Sequence, residues 1–95
     1  MTKSFILNFL KNNKQEFLEK YGVKRIGLFG SYAKDLATDA SDIDIVIDTD
    51  KKDFFLREDL KEYLENYFKK PVDLGYIDSF REFYKQKIEK EIIYV

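Results

Sequence analysis

Apolar residues along the chain follow two rhythms, one of three to four residues and one of two, and the rhythms alternate. Phe5, Ile6, Phe9, Leu10, Phe17 and Leu18 recur at helical spacing. They predict one helix that Thr2 or Ser4 can cap, that runs to Tyr21, and that Gly22 ends. Such an aromatic stripe reads as core. Val23 to Phe29 reads as a first strand, followed by a turn at Gly30-Ser31 and a short helix to about Leu36. Thr38 to Ala40 is loop, and Asp42 to Asp48 is a second strand. Leu56, Leu60, Tyr63, Leu64, Tyr67 and Phe68 form a second helical stripe packed on the sheet, with Arg57, Glu58, Lys61, Glu62 and Glu65 in water. Pro71 stands at the mouth of a third strand, Val72 to Tyr76, where it breaks no central ladder. Ser79 and Glu82 make a capping-box pattern for a last helix. Its apolar side is Phe80, Phe83, Tyr84, Ile88 and Ile92, and its basic side is Arg81, Lys85, Lys87 and Lys90. That basic side reads as a solvated face, with an RNA or partner contact as the alternative. The tail Ile92 to Val95 is open between an edge strand and a partner-binding segment. Alternating helices and three short strands predict one α+β domain over residues 1–95, a small mixed β-sheet with helices packed mainly on one face.

One strand breaks its own pattern. Side chains alternate faces along a strand, so Asp42 and Asp44 share a side while Ile43, Ile45 and Ile47 share the other. Two carboxylates roughly 7 Å apart on one face repel each other. An edge strand with a solvated, charged face is one reading of Asp-x-Asp. A divalent cation between the acids is the other, since carboxylate oxygens are the ligands Mg²⁺ prefers. The stretch before it favours the second. A strand that stops at Gly30-Ser31 and runs into a short helix offers a phosphate free backbone N–H groups, the Ser31 hydroxyl and a glycine that permits close approach. A phosphate seat followed by paired acids is the minimum for metal-assisted phosphoryl or nucleotidyl transfer. Ser41 lies just before the acids, and its hydroxyl can fix the loop backbone or orient a carboxylate. Asp73 interrupts a third apolar run, between Val72 and Leu74, where burial is expected. Asp48 and Asp50 read as solvated acids.

Composition narrows the chemistry. With 95 residues, no Cys and no His, the chain has no disulfide, no thiolate or imidazole metal site and no histidine base. Proton abstraction falls to a carboxylate, Lys or Tyr. Lys+Arg 17 against Asp+Glu 18 leaves net −1, too little field to draw in nucleic acid, so direct nucleic-acid binding is not expected. No apolar run is long enough for a signal peptide or a membrane span, which predicts a soluble, cytoplasmic protein.

Gly30-Ser31-Tyr32-Ala33-Lys34 followed by Ser41-Asp42-Ile43-Asp44-Ile45 resembles the signature of the polymerase β-like nucleotidyltransferase superfamily. Length and spacing resemble its minimal branch, the MNT domains that accompany HEPN-domain partners. The resemblance implies that Asp42 and Asp44 hold two Mg²⁺ ions bridging the triphosphate of ATP, and that Asp73 is the third carboxylate, completing the second metal site and helping to deprotonate an attacking hydroxyl. Gly30, Ser31 and Ser41 are then the nucleotide-binding candidates. The family pattern commonly has Gly where this chain has Asp35, which makes the loop stiffer and slightly more acidic. The chain is too short for the acceptor-binding domain that larger relatives carry, so the acceptor comes from another chain. The resemblance implies an antitoxin that assembles with a HEPN ribonuclease toxin and transfers AMP from ATP to one of its tyrosines. A binding-only antitoxin acting by occlusion and an aminoglycoside-type transferase subunit are the alternatives.

Overall fold

The computed structural model describes residues 1–80 and 82–95. Arg81 of the expected basic helix side, the Glu82 half of the capping pattern, and the apolar positions Phe83 and Tyr84 lie outside the described residues and side chains.

Thr2 caps the first helix: its Oγ1 accepts the Phe5 N–H at 3.1 Å. The expected single helix is two, α1 (Lys3–Asn12) and α2 (Lys14–Tyr21). The break is at Asn13, whose backbone leaves helical geometry and whose side-chain Nδ2 donates to Phe9 O at 2.8 Å. An asparagine side chain that bonds the backbone competes with the helix ladder in this way. Gly22, at φ 70, ends α2 in the left-handed conformation that suits glycine.

Four strands follow rather than three: β1 (Val23–Phe29), β2 (Ile43–Thr49), β3 (Val72–Tyr76) and β4 (Ile93–Tyr94), in the order β3-β2-β1-β4. β1 is antiparallel to β2 and to β4, and β2 is parallel to β3. The apolar tail is therefore an edge strand, paired through Gly27↔Tyr94 and Leu28↔Ile93. α3 (Gly30–Ala33) follows β1 directly and ends earlier than the sequence predicts. The parallel pairing of β2 and β3 demands a crossover, and α4 (Phe54–Phe68) supplies it, capped by Asp53, whose carboxylate accepts the N–H groups of Phe55 and Leu56. A 3-10 turn (Ile77–Ser79) and α5 (Glu82–Glu89) lead to β4.

The main core lies on one face. Ile43, Ile45 and Ile47 of β2 and Leu28 and Ile26 of β1 meet Ile6, Leu10, Phe17, Leu60, Leu64 and Phe68 from the helices. Each such side chain contributes about 1.5–3 kcal/mol by leaving water. The stripes are only half used: Phe5, Leu18, Tyr63 and Tyr67 stay exposed, with Phe9 stacked on Tyr67 at 3.7 Å between ring centroids. Glu65 is not in open water. Its Oε2 accepts the Val72 N–H at 3.0 Å, tying the start of β3 to the last turns of α4. The opposite face is not bare: Val46 is buried there beneath Ile77 and Ile92, with Phe29, Phe80 and Ile88 packed around them.

Candidate active site

The site begins where β1 ends. The ladder sets Phe29 opposite Asp44, and the next residue, Gly30, turns the chain at φ 74 into α3. A Cβ at Gly30 would lie 2.9 Å from Asp44 Cγ and closer still to Oδ2. Only a residue without a side chain lets the backbone rest on that carboxylate. Tyr32 and Ala33 are buried in the main core and hold α3 against the sheet. The amides at the start of α3 have no carbonyl ahead of them in the helix, and among the described residues the half-buried Ser31 hydroxyl has no hydrogen-bond partner.

The loop after α3 closes through Leu36 N–H to Ser31 O at 2.9 Å. It does so with Asp35 at φ 59, a left-handed conformation that Gly takes freely and Asp more readily than most residues. The Asp35 carboxylate is engaged by Lys3 Nζ at 2.9 Å, so its charge is paired with α1 instead of adding freely to the loop. Ser41 is spent on the next turn. Its Oγ accepts the Thr38 N–H at 2.9 Å and its own N–H donates to Thr38 O at 3.0 Å. Of the two roles open to Ser41, loop fixing is the one its contacts serve, and that turn delivers Asp42.

Asp42 precedes β2 instead of opening it, and it is exposed. Ile43 N–H donates to Pro71 O at 3.0 Å, which pins the start of β2 beside the start of β3. Two residues on, Asp44 pairs directly with Asp73 across the parallel ladder, with Cα atoms about 4.8 Å apart as neighbouring strands require. Both belong to the face opposite Ile43, Ile45 and Ile47. Asp73 is exposed, not buried as its apolar neighbours suggest, because β3 is an edge strand whose outer side is uncovered at this point.

The electrostatic result is concentrated on Asp44. Burial pushes its carboxyl up to about 6, and the charges of Asp73 and then Asp42 push in the same direction. Among the described residues, no lysine or arginine forms an ion pair with Asp42, Asp44 or Asp73, and no side-chain hydrogen bond ends on them. The three are electrostatic neighbours rather than a closed cage: among the described residues, no group of three carboxylates is drawn together as metal ligands would be. The donor set nevertheless suits a hard divalent cation. It is all carboxylate oxygen, among the described residues no cation offsets its negative charge, and a cation there would remove the repulsion that adds to the effect of burial on Asp44.

Adjacent strands make Asp44 and Asp73 ladder partners, which sequence spacing alone does not show. Only a prediction of parallel pairing and its register would have found it. The packing of Gly30 on Asp44 was equally hidden, although a glycine at the end of an apolar run is its trace.

Comparison with known proteins is consistent with this geometry. The family model described as "Nucleotidyltransferase domain" matches residues 10–95. The chain is 34% identical over 96 residues to a protein of Thermococcus cleftensis named protein adenylyltransferase MntA, covering 100% of this chain and 97% of that one. A solved structure provisionally described as a minimal nucleotidyltransferase superposes with a TM-score of 0.81 at 20% identity, covering 98% of this chain and 95% of its own. A crystal structure of a toxin–antitoxin with AMP-PNP superposes with a TM-score of 0.71 at 25% identity, covering 88% and 70%. No helix among the described residues is long and apolar enough to cross a membrane.

Proposed function

The chain belongs to the nucleotidyltransferase-domain family, and from that premise we propose that it transfers AMP from ATP, with Mg²⁺, to a tyrosine of a HEPN ribonuclease toxin and silences it as an antitoxin. One observation carries the reading: a half-buried Asp44, unpaired among the described residues, beside two further acids, with the backbone of Gly30 packed on its carboxylate. A fold that needed these acids only for solubility would have no reason to stack them in register. The relative named protein adenylyltransferase and the toxin–antitoxin structure bound to AMP-PNP support the same direction.

In this reading Asp42, Asp44 and Asp73 hold Mg²⁺, which supplies charge neutralisation for the triphosphate and the leaving group. The amides of Gly30 and Ser31, with the Ser31 hydroxyl, bind phosphate oxygens. Transfer forms a bond between the tyrosine oxygen and the α-phosphorus and breaks the bond to the β-phosphate, so pyrophosphate leaves. The phenol proton needs an acceptor, and the chain has no histidine. Asp42 and Asp73 are both exposed, and of the two it is Asp73, the ladder partner of Asp44, that takes that role. Ser41 acts indirectly, by shaping the turn before Asp42.

The test is the mass of the toxin after incubation with this protein, ATP and Mg²⁺. Wild type adds one or more AMP units to a tyrosine. Asp73→Asn adds almost none, a loss of at least ~10²-fold, while still binding ATP. Neutralisation without any added mass would replace this reading with occlusion.

A further inference from the structure

The chain has four glycines, and three have a structural reason to be glycine. Gly22 and Gly30 sit at φ 70 and φ 74, where side chains are strained. Gly27 lies beneath the tail, where a Cβ would fall 2.6 Å from Ile92 Cγ2 and 3.1 Å from Ile93 O. Gly75 has neither reason. Its backbone is not left-handed, and among the described residues nothing lies within 4 Å of a Cβ built on it. A β-branched residue there would suit the strand better, since glycine in a strand interior costs stability and marks places where a ligand or another backbone comes close.

Its position says what comes close. Gly75 is two residues after Asp73 in β3, so the two share a face, and its partner across the ladder is Val46, as Asp44 is the partner of Asp73. Val46 is fully buried beneath Ile77 and Ile92, yet that small apolar cluster does not extend over Gly75. Among the described residues, the result is a partly exposed notch on the edge strand. Asp73 stands at one end, the apolar cluster of Ile77 and Phe80 lies beyond the other, and glycine backbone forms the floor.

We infer that Gly75 determines acceptor specificity: the acceptor's aromatic ring lies flat over Gly75, between the apolar cluster and Asp73, with its hydroxyl at the Asp73 carboxylate. The inference rests on the transfer reaction proposed above and names how its acceptor is read. The interval from Gly75 to Asp73 is about 7 Å along the strand. A phenol bridges that interval from a backbone kept clear of the acids. A serine or threonine hydroxyl reaches Asp73 only if the acceptor backbone itself enters the acidic site. The floor must therefore be flat, and a side chain at Gly75 would occupy the ring's place without touching the nucleotide.

The experiment compares wild type, Gly75→Ala and Gly75→Val for Mg·ATP affinity, melting temperature and rate of AMP transfer to the toxin at varied toxin concentration. Both variants should bind Mg·ATP as wild type does and melt at the same or a higher temperature. Gly75→Val should lose at least tenfold in kcat/KM for the toxin, chiefly through KM, and Gly75→Ala should fall between. Wild-type kinetics for Gly75→Val overturn the inference alone, and so does a matching loss of Mg·ATP affinity, which would give the notch to the nucleotide. Absence of transfer by wild type overturns the transfer reaction itself and the inference with it.

Discussion

The outward face of β2 carries aspartate at both ends, and the chain treats the two oppositely. Asp48 faces Arg25 across the antiparallel ladder, with Nε 3.3 Å from Oδ2. That guanidinium also lies over the Tyr94 ring at 5.0 Å, which couples the pair to the edge strand β4. Asp50, in the turn beyond, has Lys24 at 2.9 Å. Asp44 has Phe29 on one side and Asp73 on the other, and among the described residues no cation answers it. Val46, on the same face between the two ends, is buried beneath Ile77 and Ile92. Among the described residues, cross-strand cations neutralise one end and none answers the other, and that unanswered end is where the backbone of Gly30 comes down. In the function proposed above, that unanswered end is where Mg²⁺ would arrive with the nucleotide.

The sharpest way to break the contrast is at the point of closest approach. Gly30→Val places a β-branched side chain at φ 74 and inside contact distance of the Asp44 carboxylate. A strained backbone of this kind costs about 1–3 kcal/mol before any displacement of Asp44. Nucleotide affinity should fall by more than tenfold, whereas Ser31→Ala, which removes one hydrogen bond, should cost only about 1 kcal/mol. Titration with a fluorescent ATP analogue separates the two variants. Equal affinity for wild type and Gly30→Val would remove the phosphate seat from this account.

How much of this contrast the sequence carries differs by feature. Asp42 and Asp44 stand out because a β-branched run should not contain acids, and β1 and β3 have the bounds that periodicity assigns. The helical break at Asn13 was hidden because it depends on one side chain bonding the backbone rather than on any gap in the apolar stripe. Burial of Asp73 was misjudged because apolar neighbours reveal a strand's inner face and not whether its outer face is covered. The salt bridge at Asp48 needs the register of β1 on β2, which includes a bulge between Val23 and Arg25 that no pattern announces. β4 was legible only as an apolar tail, since two paired residues are too few for a period to show. Asp35 was visible as a departure from the family pattern, but its left-handed backbone and its tie to Lys3 belong to the fold.

A smaller effect sharpens the comparison through pH. The Asp44 carboxyl is raised from 3.8 to about 6, so the folded state holds its proton more tightly than the unfolded chain does. Stability from this group is therefore unimpaired below about pH 4, falls as pH rises through 6, and stays reduced above it. Asp44→Asn removes the cost. After allowance for solvent screening of a half-exposed group, the gain is about 1 kcal/mol above pH 6, or about 4–8 °C in melting temperature for a domain of this size. In EDTA, the melting temperatures of wild type and Asp44→Asn should coincide near pH 4 and separate by pH 7, with the variant higher. Added Mg²⁺ should raise the wild type at pH 8 and leave the variant less affected. A gap that is constant with pH would mean that the two proteins differ for reasons unrelated to this carboxyl's charge.

The smallest expected effect carries the contrast in its sign. Asp48→Asn makes the same chemical change four residues along the same strand face, but it removes a partner instead of a repulsion. The pair with Arg25 is partly exposed, at 56% and 29% of the side-chain surfaces, and such pairs contribute about 0.2–1 kcal/mol. The guanidinium keeps its place over Tyr94, which limits the loss. Melting temperature should therefore drop slightly at pH 7, and the drop should shrink with added salt as the surface pair is screened. Nucleotide affinity should not change, because Asp48 lies at the far end of β2 with the buried Val46 between. The paired measurement is thermal melting of Asp44→Asn and Asp48→Asn at pH 7 in EDTA: one rises, the other falls. If both rise, Asp48 too stands in uncompensated repulsion, and the two ends of the strand are not the opposites that their neighbours make them.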